Sequence, residues 1–194
     1  MYKHKNKIKL AKIGLADLCT LKDLKDESWF GTHNVAIVNY EDQEHWFKNL
    51  DNKKTLILSA MLNETKIGYY KLLNIDWVNR KYDMSYDVIA AYRGKGYASL
   101  ILEAGIDFSF EILNMHRIDT EVLENNIASH KSLIKSGFIQ EGVKRKSIYR
   151  CVKYLDSFTL GILEEDWKIL ERVIGLNGCC NDSYKPKDNP EYEK

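Results

Sequence analysis

The chain has 194 residues, with 29 Lys and Arg against 28 Asp and Glu and a formal net charge of +1. That length suits one well-buried domain and leaves little for a second, and the near-zero balance supplies no overall field to attract nucleic acid, a membrane surface or an acidic partner. The four cysteines, Cys19, Cys151, Cys179 and Cys180, form no Cys-x-x-Cys pair and have no zinc-type His spacing, so neither a metal site nor a disulfide framework is expected. The N-terminus lacks the apolar core of a signal peptide, and no apolar run nears the roughly 20 residues of a membrane span. A reducing cytoplasm is the expected location.

Lys3, Lys5, Lys7 and Lys9 alternate with residues such as Ile8 and Leu10, which predicts one first strand with a basic solvent face. Leu18, Leu21 and Leu24 predict a short amphipathic helix over Ala16–Lys25. A second helix is predicted over Asp42–Leu50, with Asp42 as its N-cap and Trp46, Phe47 and Leu50 as its buried stripe. Three strands follow at Thr55–Leu62, Lys66–Ile75 and Tyr82–Ile89, with Asn63-Glu64 as a hairpin turn.

Next comes Tyr92-Arg93-Gly94-Lys95-Gly96-Tyr97-Ala98, between the third of these strands and a helical pattern over Ala98–Leu113. Two glycines let the backbone turn tightly and approach a ligand, so that successive N–H groups converge on one anion. A helix N-terminus adds its positive end. A phosphorylated ligand is one reading of these residues, and an ordinary turn is the other. A buried strand is expected at Ile118–Leu123, a helix over Asn126–Lys135 ending at Gly137, and strands around Phe138–Lys144 and Ser147–Leu160. A last helix over Leu163–Ile174 closes the domain, taken as residues 1–176, and residues 177–194 read as a disordered polar tail. This order predicts an α/β protein with a mixed sheet, helices on both faces and a right-handed parallel crossover around the glycine loop.

The run Arg93-Gly94-Lys95-Gly96-Tyr97-Ala98 at a strand-to-helix junction, followed by Asn126, Ser129 and Gly137-Phe138, resembles the signatures of the GNAT superfamily of acetyl-coenzyme A dependent N-acetyltransferases. The resemblance covers Ile8 to about Trp167. It implies the GNAT fold, a twisted sheet of about seven strands whose fourth and fifth strands splay apart. It also implies acetyl-CoA as acetyl donor and no metal. The pyrophosphate would lie on the amides of Arg93, Gly94, Lys95, Gly96, Tyr97 and Ala98, and the pantetheine arm along the backbone of Val88 and Ile89. Amides near Val88 would face the thioester oxygen, and Asn126 and Ser129 would flank the arm, with Asn126 also fitted to cap a helix.

The reaction implied is direct attack of an amine on the thioester. Glu121 stands where some N-terminal-amine acetyltransferases of the superfamily carry a general base, and Asp83 and Asp87 are the other nearby carboxylates. Many members have a tyrosine seven residues after the asparagine as general acid, whereas this chain has Leu133. Water, Ser129, Ser132 or Tyr149 are the remaining candidates. The chain resembles the branch that contains ribosomal-protein N-terminal acetyltransferases and enzymes acting on nucleotide-linked amino sugars. Trp29, Phe30, Tyr40, Trp46 and Tyr149 would suit a compact sugar pocket with His45 as a polar handle, while Glu41, Asp42 and Glu44 would suit a basic protein. An amino sugar is the expected acceptor, a protein N-terminus the alternative, and a non-catalytic acetyl-CoA-binding module the reading from another class. A homodimer is left open.

Overall fold

The computed structural model describes residues 1–28 and 38–176. Trp29, Phe30 and the expected tail at 177–194 lie outside them. The elements in chain order are β1 (Tyr2–Lys3), β2 (Ile8–Lys12), α1 (Leu18–Ser28), α2 (Tyr40–Lys48), β3 (Leu56–Leu62), β4 (Thr65–Asp76), β5 (Lys81–Val88), α3 (Tyr97–Asp107), β6 (Arg117–Leu123), α4 (Ile127–Lys135), β7 (Ile139–Arg150), β8 (Lys153–Leu163) and α5 (Glu164–Leu176). The strands form one sheet in the order β1-β2-β3-β4-β5-β6-β8-β7. The mixed α/β architecture expected from the sequence is present, with eight strands. Among the described residues no helix is long and apolar enough to cross a membrane.

The first strand proves to be a hairpin. β1 pairs antiparallel with β2, and Lys7 turns the chain at φ 70°. Alternation alone could not reveal the turn, because a side chain directs it: Asn6 Oδ1 accepts from the Ile8 amide at 3.0 Å, while its Nδ2 donates to the Leu100 carbonyl at 3.1 Å. The cap of α2 also differs from the expected one. Asn39 is the N-cap and Asp42 stands at N3, the two exchanging side-chain and amide hydrogen bonds of 2.8 and 2.9 Å in a capping box. Along this helix Gln43 is buried, and Trp46 is 38% exposed, outside the core.

The sheet separates two apolar layers. Ile13, Leu21, Leu24, Ile57 and Tyr69 join α1 to one face, whereas Tyr70, Leu72, Ile101, Leu102 and Ile118 belong to the larger layer under α3. Tyr69 and Tyr70 are both fully buried, each contributing about 1.5–3 kcal/mol relative to an exposed side chain. α3 sits close to β4 because residue 105 is glycine: a Cβ there would lie 2.3 Å from the Tyr70 ring. Beyond Asp107 the α-helix widens into a π-type turn, Phe108–Ile112, where a regular helix was expected as far as Leu113. The Ser109 hydroxyl, bonded to the Gly105 carbonyl at 2.7 Å and to Tyr82 Oη at 2.7 Å, occupies that turn.

At its far end α3 is tied to the first hairpin and to α5. Asp107 is buried; its Oδ2 lies 2.6 Å from His4 Nε2, and its Oδ1 accepts from Trp167 Nε1 at 2.7 Å. His4, Glu103 and Asp107 are near enough to share a cation. Lys5 already stands 3.3 Å from Asp107, which argues for a hydrogen-bonded knot.

β5 and β6 are the parallel pair expected around the crossover, but their ladder is short. Lys81↔Arg117, Tyr82↔Ile118 and Asp83↔Asp119 pair, and the strands then diverge. Each remains bonded to its other neighbour, β5 to β4 through Gly68↔Val88 and β6 to β8 through Leu123↔Ser157. Thr120 Oγ1 donates to the Met84 carbonyl at 3.0 Å where the ladder ends. Glu121 is exposed on β6 beyond that point, so this strand is not buried on both sides as its sequence suggested. The fork is the splay implied by the family resemblance.

Candidate active site

Two cavities meet at the fork, of about 660 and 900 Å³. They share the lining residues Tyr86, Asp87, Asn126 and Ser129.

The smaller cavity lies against the glycine loop. After Val88 the chain makes a 3₁₀ turn, Ala90–Tyr92, and then passes through Gly94 at φ 73° and Gly96 at φ 80°, the latter being the N-cap of α3. Positive φ makes glycine the natural residue at position 96; a Cβ there would meet no protein atom within 4 Å, so backbone conformation imposes the requirement. The Ser99 amide donates to the Gly96 carbonyl at 3.2 Å, and ahead of it the start of α3 presents its N–H groups and the positive end of the helix dipole. Arg93 Nε donates to the Val88 carbonyl at 3.0 Å and its Nη2 to Glu27 at 2.9 Å.

Of the residues singled out in the sequence, Val88, Arg93, Gly94, Gly96, Tyr97, Ala98, Asn126 and Ser129 line this cavity. Lys95 and Ile89 do not. Lys95 Nζ donates to the Ala91 carbonyl at 2.8 Å, and the Ile89 amide donates to the Ile67 carbonyl at 3.0 Å. This last bond corrects the expected strand-like edge. Antiparallel pairing turns alternate amides to opposite sides, so with Ile89 committed to β4 it is Val88 whose N–H faces the fork. Asn126 caps α4, its Oδ1 accepting from the Ser129 amide at 3.2 Å. Asn125, which the sequence reading passed over, also lines the cavity. Among the described residues its Oδ1 is buried with no hydrogen-bond partner.

The larger cavity is lined by six acidic residues, Asp42, Asp83, Asp87, Asp119, Glu121 and Glu141, and by Lys25 and Lys71. Even with the flanking partners Arg117 and Lys144, acids outnumber bases. Arg117 reaches Asp119 at 2.7 Å and Glu141 at 2.9 Å, and this contact holds the Glu141 carboxyl below the usual carboxylate range. Lys71 pairs with Asp87, and Lys144 with Glu121. Asn74 donates to Asp83 at 2.8 Å. Strand alternation brings these groups together: Asp83 and Asp119 sit side by side in the parallel register, two residues before Ser85 and Glu121 on their strands. That adjacency across sequence-distant strands is what the linear sequence concealed.

Trp46 lines this cavity, where the sequence suggested a core position as the simpler reading. His45 instead faces Asn49 at 3.3 Å on the surface. Tyr40 is exposed, and Tyr149 stacks with Tyr154 near the β7–β8 turn, ring centroids 5.1 Å apart. Neither lines the cavity, so the aromatic sugar pocket does not assemble from the described residues. Leu133 is buried in the larger layer and Tyr149 is remote, leaving Ser129 and Ser132 among the expected protein acids.

Residues 10–139 match the family model "Acetyltransferase (GNAT) domain", more than half of the chain. The chain belongs to the GNAT acetyltransferase family. It is 36% identical over 76 residues to the uncharacterized N-acetyltransferase YnaD of Bacillus subtilis, covering 39% of this chain and 45% of that one. It is 25% identical over 117 residues to spermidine N(1)-acetyltransferase of Vibrio cholerae, covering 60% and 68%. These alignments thus span about half to two thirds of the relatives' lengths. The crystal structure of spermidine N-acetyltransferase from Vibrio cholerae in complex with CoA and spermine superposes with a TM-score of 0.77 at 20% identity, over 84% of this chain and 99% of that one. At that identity the likeness shows a shared GNAT fold. The family reading of the sequence therefore holds, while on its finer branch the relatives divide: the chain is also 28% identical over 101 residues, 52% of this chain and 55% of that one, to the putative ribosomal N-acetyltransferase YdaF of Bacillus subtilis.

Proposed function

We propose that this chain is an acetyl-CoA-dependent N-acetyltransferase that acetylates a primary amine of a polycationic small molecule such as a polyamine. The observation that carries the proposal is the pair of cavities joined at the fork, one faced by loop and helix amides and the other by carboxylates. Acetyl-CoA fits the first. Its pyrophosphate suits the amides from Gly94 to Ala98, and the orphan Asn125 Oδ1 supplies an acceptor for an N–H such as a pantetheine amide offers. Bound there, the donor supplies an activated thioester. The Val88 amide then faces the fork as a donor for the developing oxyanion.

An amine cation suits the second cavity. Carboxylates facing a cavity strengthen each other's attraction for a cation, and several positive charges on one flexible molecule would satisfy them together. The resemblance to spermidine acetyltransferases points the same way. An amino sugar, the acceptor expected from the sequence, carries one ammonium, and of the aromatic residues expected around it Trp46 lines this cavity whereas Tyr40 and Tyr149 do not. A protein with a basic N-terminus is the second reading, favoured by the same carboxylates.

An ammonium must lose a proton before it attacks. Asp87 stands at the junction of the cavities, whereas Glu121 lines only the acidic one. We assign the base to Asp87 and cation recognition to Glu121, which revises the expected role of Glu121. A monomer or homodimer in the cytoplasm would serve this chemistry equally. Thiol release measured with spermidine, spermine, glucosamine and a basic peptide tests the assignment. The polyamines should give the highest kcat/KM. Preference for glucosamine would overturn the acceptor, and tight coenzyme A binding without release from any amine would leave the non-catalytic module.

A further inference from the structure

When an amine displaces a thiol from a thioester, the sulfur departs as a thiolate and must be protonated to complete the exchange. The fork holds a hydroxyl pair suited to that task. Of the four residues common to both cavities, two carry hydroxyls, Tyr86 on β5 and Ser129 on α4. The Tyr86 hydroxyl donates to Ser129 Oγ at 3.2 Å. Ser129 therefore has its own hydrogen free to point elsewhere, since its oxygen already accepts from Tyr86.

Resting on the acetyltransferase reading above, we propose that Tyr86 and Ser129 form a proton relay to the coenzyme sulfur. As the C–N bond forms and the C–S bond breaks, the sulfur takes the Ser129 hydroxyl proton and Ser129 takes that of Tyr86. The tyrosinate recovers a proton from water in the acidic cavity, into which the amine's own proton is released through Asp87. Two protons leave the nitrogen, one through Asp87 before attack and one as the amide forms; one proton reaches the thiol and one is released to solvent, so no other reactant is needed. Burial pushes the Tyr86 hydroxyl above its usual range, which keeps the phenol protonated and the relay filled at neutral pH. The positioning is structural as well. Tyr86 lies alongside Tyr70 in the antiparallel register, and the Asn126 cap fixes the turn that carries Ser129.

The relay makes predictions for binding as well as rate. With Ser129 donating to the sulfur and Tyr86 supporting it by donating to Ser129, binding should favour coenzyme A over desulfo-coenzyme A at pH high enough to ionise the thiol. At pH 9, Tyr86→Phe should bind coenzyme A about tenfold more weakly than the unmodified chain, as expected for loss of a charge-assisted bond, and desulfo-coenzyme A equally well. In turnover, Tyr86→Phe should lower kcat on the order of 10²-fold with KM for acetyl-CoA unchanged. Ser129→Ala should cost as much, the double variant little more than either, and Ser129→Thr should retain most of the rate, since members of one relay are not additive. If Tyr86→Phe does not fold, the Ser129→Ala and Ser129→Thr pair decides. A kcat within about threefold of the unmodified chain with coenzyme A affinity unchanged at pH 9, or additive losses in the double variant, would overturn the relay alone. No thiol release by the unmodified chain with any amine would remove the reaction itself and the relay with it.

Discussion

The two cavities that meet at the fork are made of different material. On one side, the wall includes a stretch of main chain, the glycine loop and the first turn of α3, beside side chains such as Asn125 and Ser129. On the other, it is side chains from α1, α2 and six strands, held by ion pairs such as Lys71 with Asp87 and Arg117 with Asp119 and Glu141. A main-chain wall tolerates changes of side chain but not of backbone angle. A side-chain wall behaves in the opposite way.

That contrast can be tested by mutating both sides. The largest effect is expected from neutralising the adjacent acids Asp83 and Asp119: the Asp83→Asn, Asp119→Asn double variant should raise KM for a polyamine about 100-fold, from about 1–3 kcal/mol per lost charged contact, with KM for acetyl-CoA unchanged. An equal rise in both would show that the two sides are not separate. Asp87→Asn should next lower kcat by about 10²-fold against about tenfold for Glu121→Gln; the reverse order, measured by steady-state thiol release, would return the base to Glu121.

On the main-chain side, Gly96→Val forces a β-branched residue to φ 80°. It should cost about 1–2 kcal/mol in thermal or denaturant unfolding and weaken coenzyme A binding by about tenfold in calorimetry. Lys95→Ala, whose side chain turns away from the cavity, should leave that affinity within about twofold.

Acidification should also separate the sides. Asp17 is buried under α1, where it accepts from Lys66, from the Gly14 amide at 2.9 Å and from Tyr69 at 3.1 Å. Burial alone would raise its carboxyl, but these donors outweigh it and hold it below the ordinary value. A lowered folded-state pKa contributes stability that is complete above the unfolded value, about 4, and is lost as pH falls below it. Unfolding of the chain between pH 5 and 3 should therefore show a loss of stability that Asp17→Asn removes, at a cost of about 1–3 kcal/mol at pH 7. A smaller effect is expected at Glu27, half-exposed and paired with Arg93 beside the phosphate-facing loop. Glu27→Gln should raise coenzyme A affinity by about two- to threefold at low salt and not at all at 0.5 M salt.

The same distinction explains what could be read from the chain beforehand. Gly94, Gly96, Asn126 and the strand–loop–helix order are local, because a backbone angle and an N-cap are dictated by neighbours in sequence. So were the crossover and the splay, once family likeness was added. The acidic wall was hidden because Asp83, Asp119 and Glu141 meet only through the sheet order that puts β6 beside β5 and β8. Trp46 was misplaced for a related reason: the buried side of a short helix is set by what it packs against, and nine residues of periodicity do not show that Gln43 rather than Trp46 is buried. Tyr86 was read only as part of a strand, since its partner Ser129 lies 43 residues away.

Asp107 fastens the last turn of α3 to the first hairpin through His4 and to α5 through Trp167, while the opposite tip of the same helix stands at the cofactor loop. Mechanically, α3 is a cantilever clamped at its base. Force applied at the tip by an arriving ligand must be taken up by the glycines and not by a swing of the whole rod, so any give on binding should be confined to the few residues ahead of Tyr97.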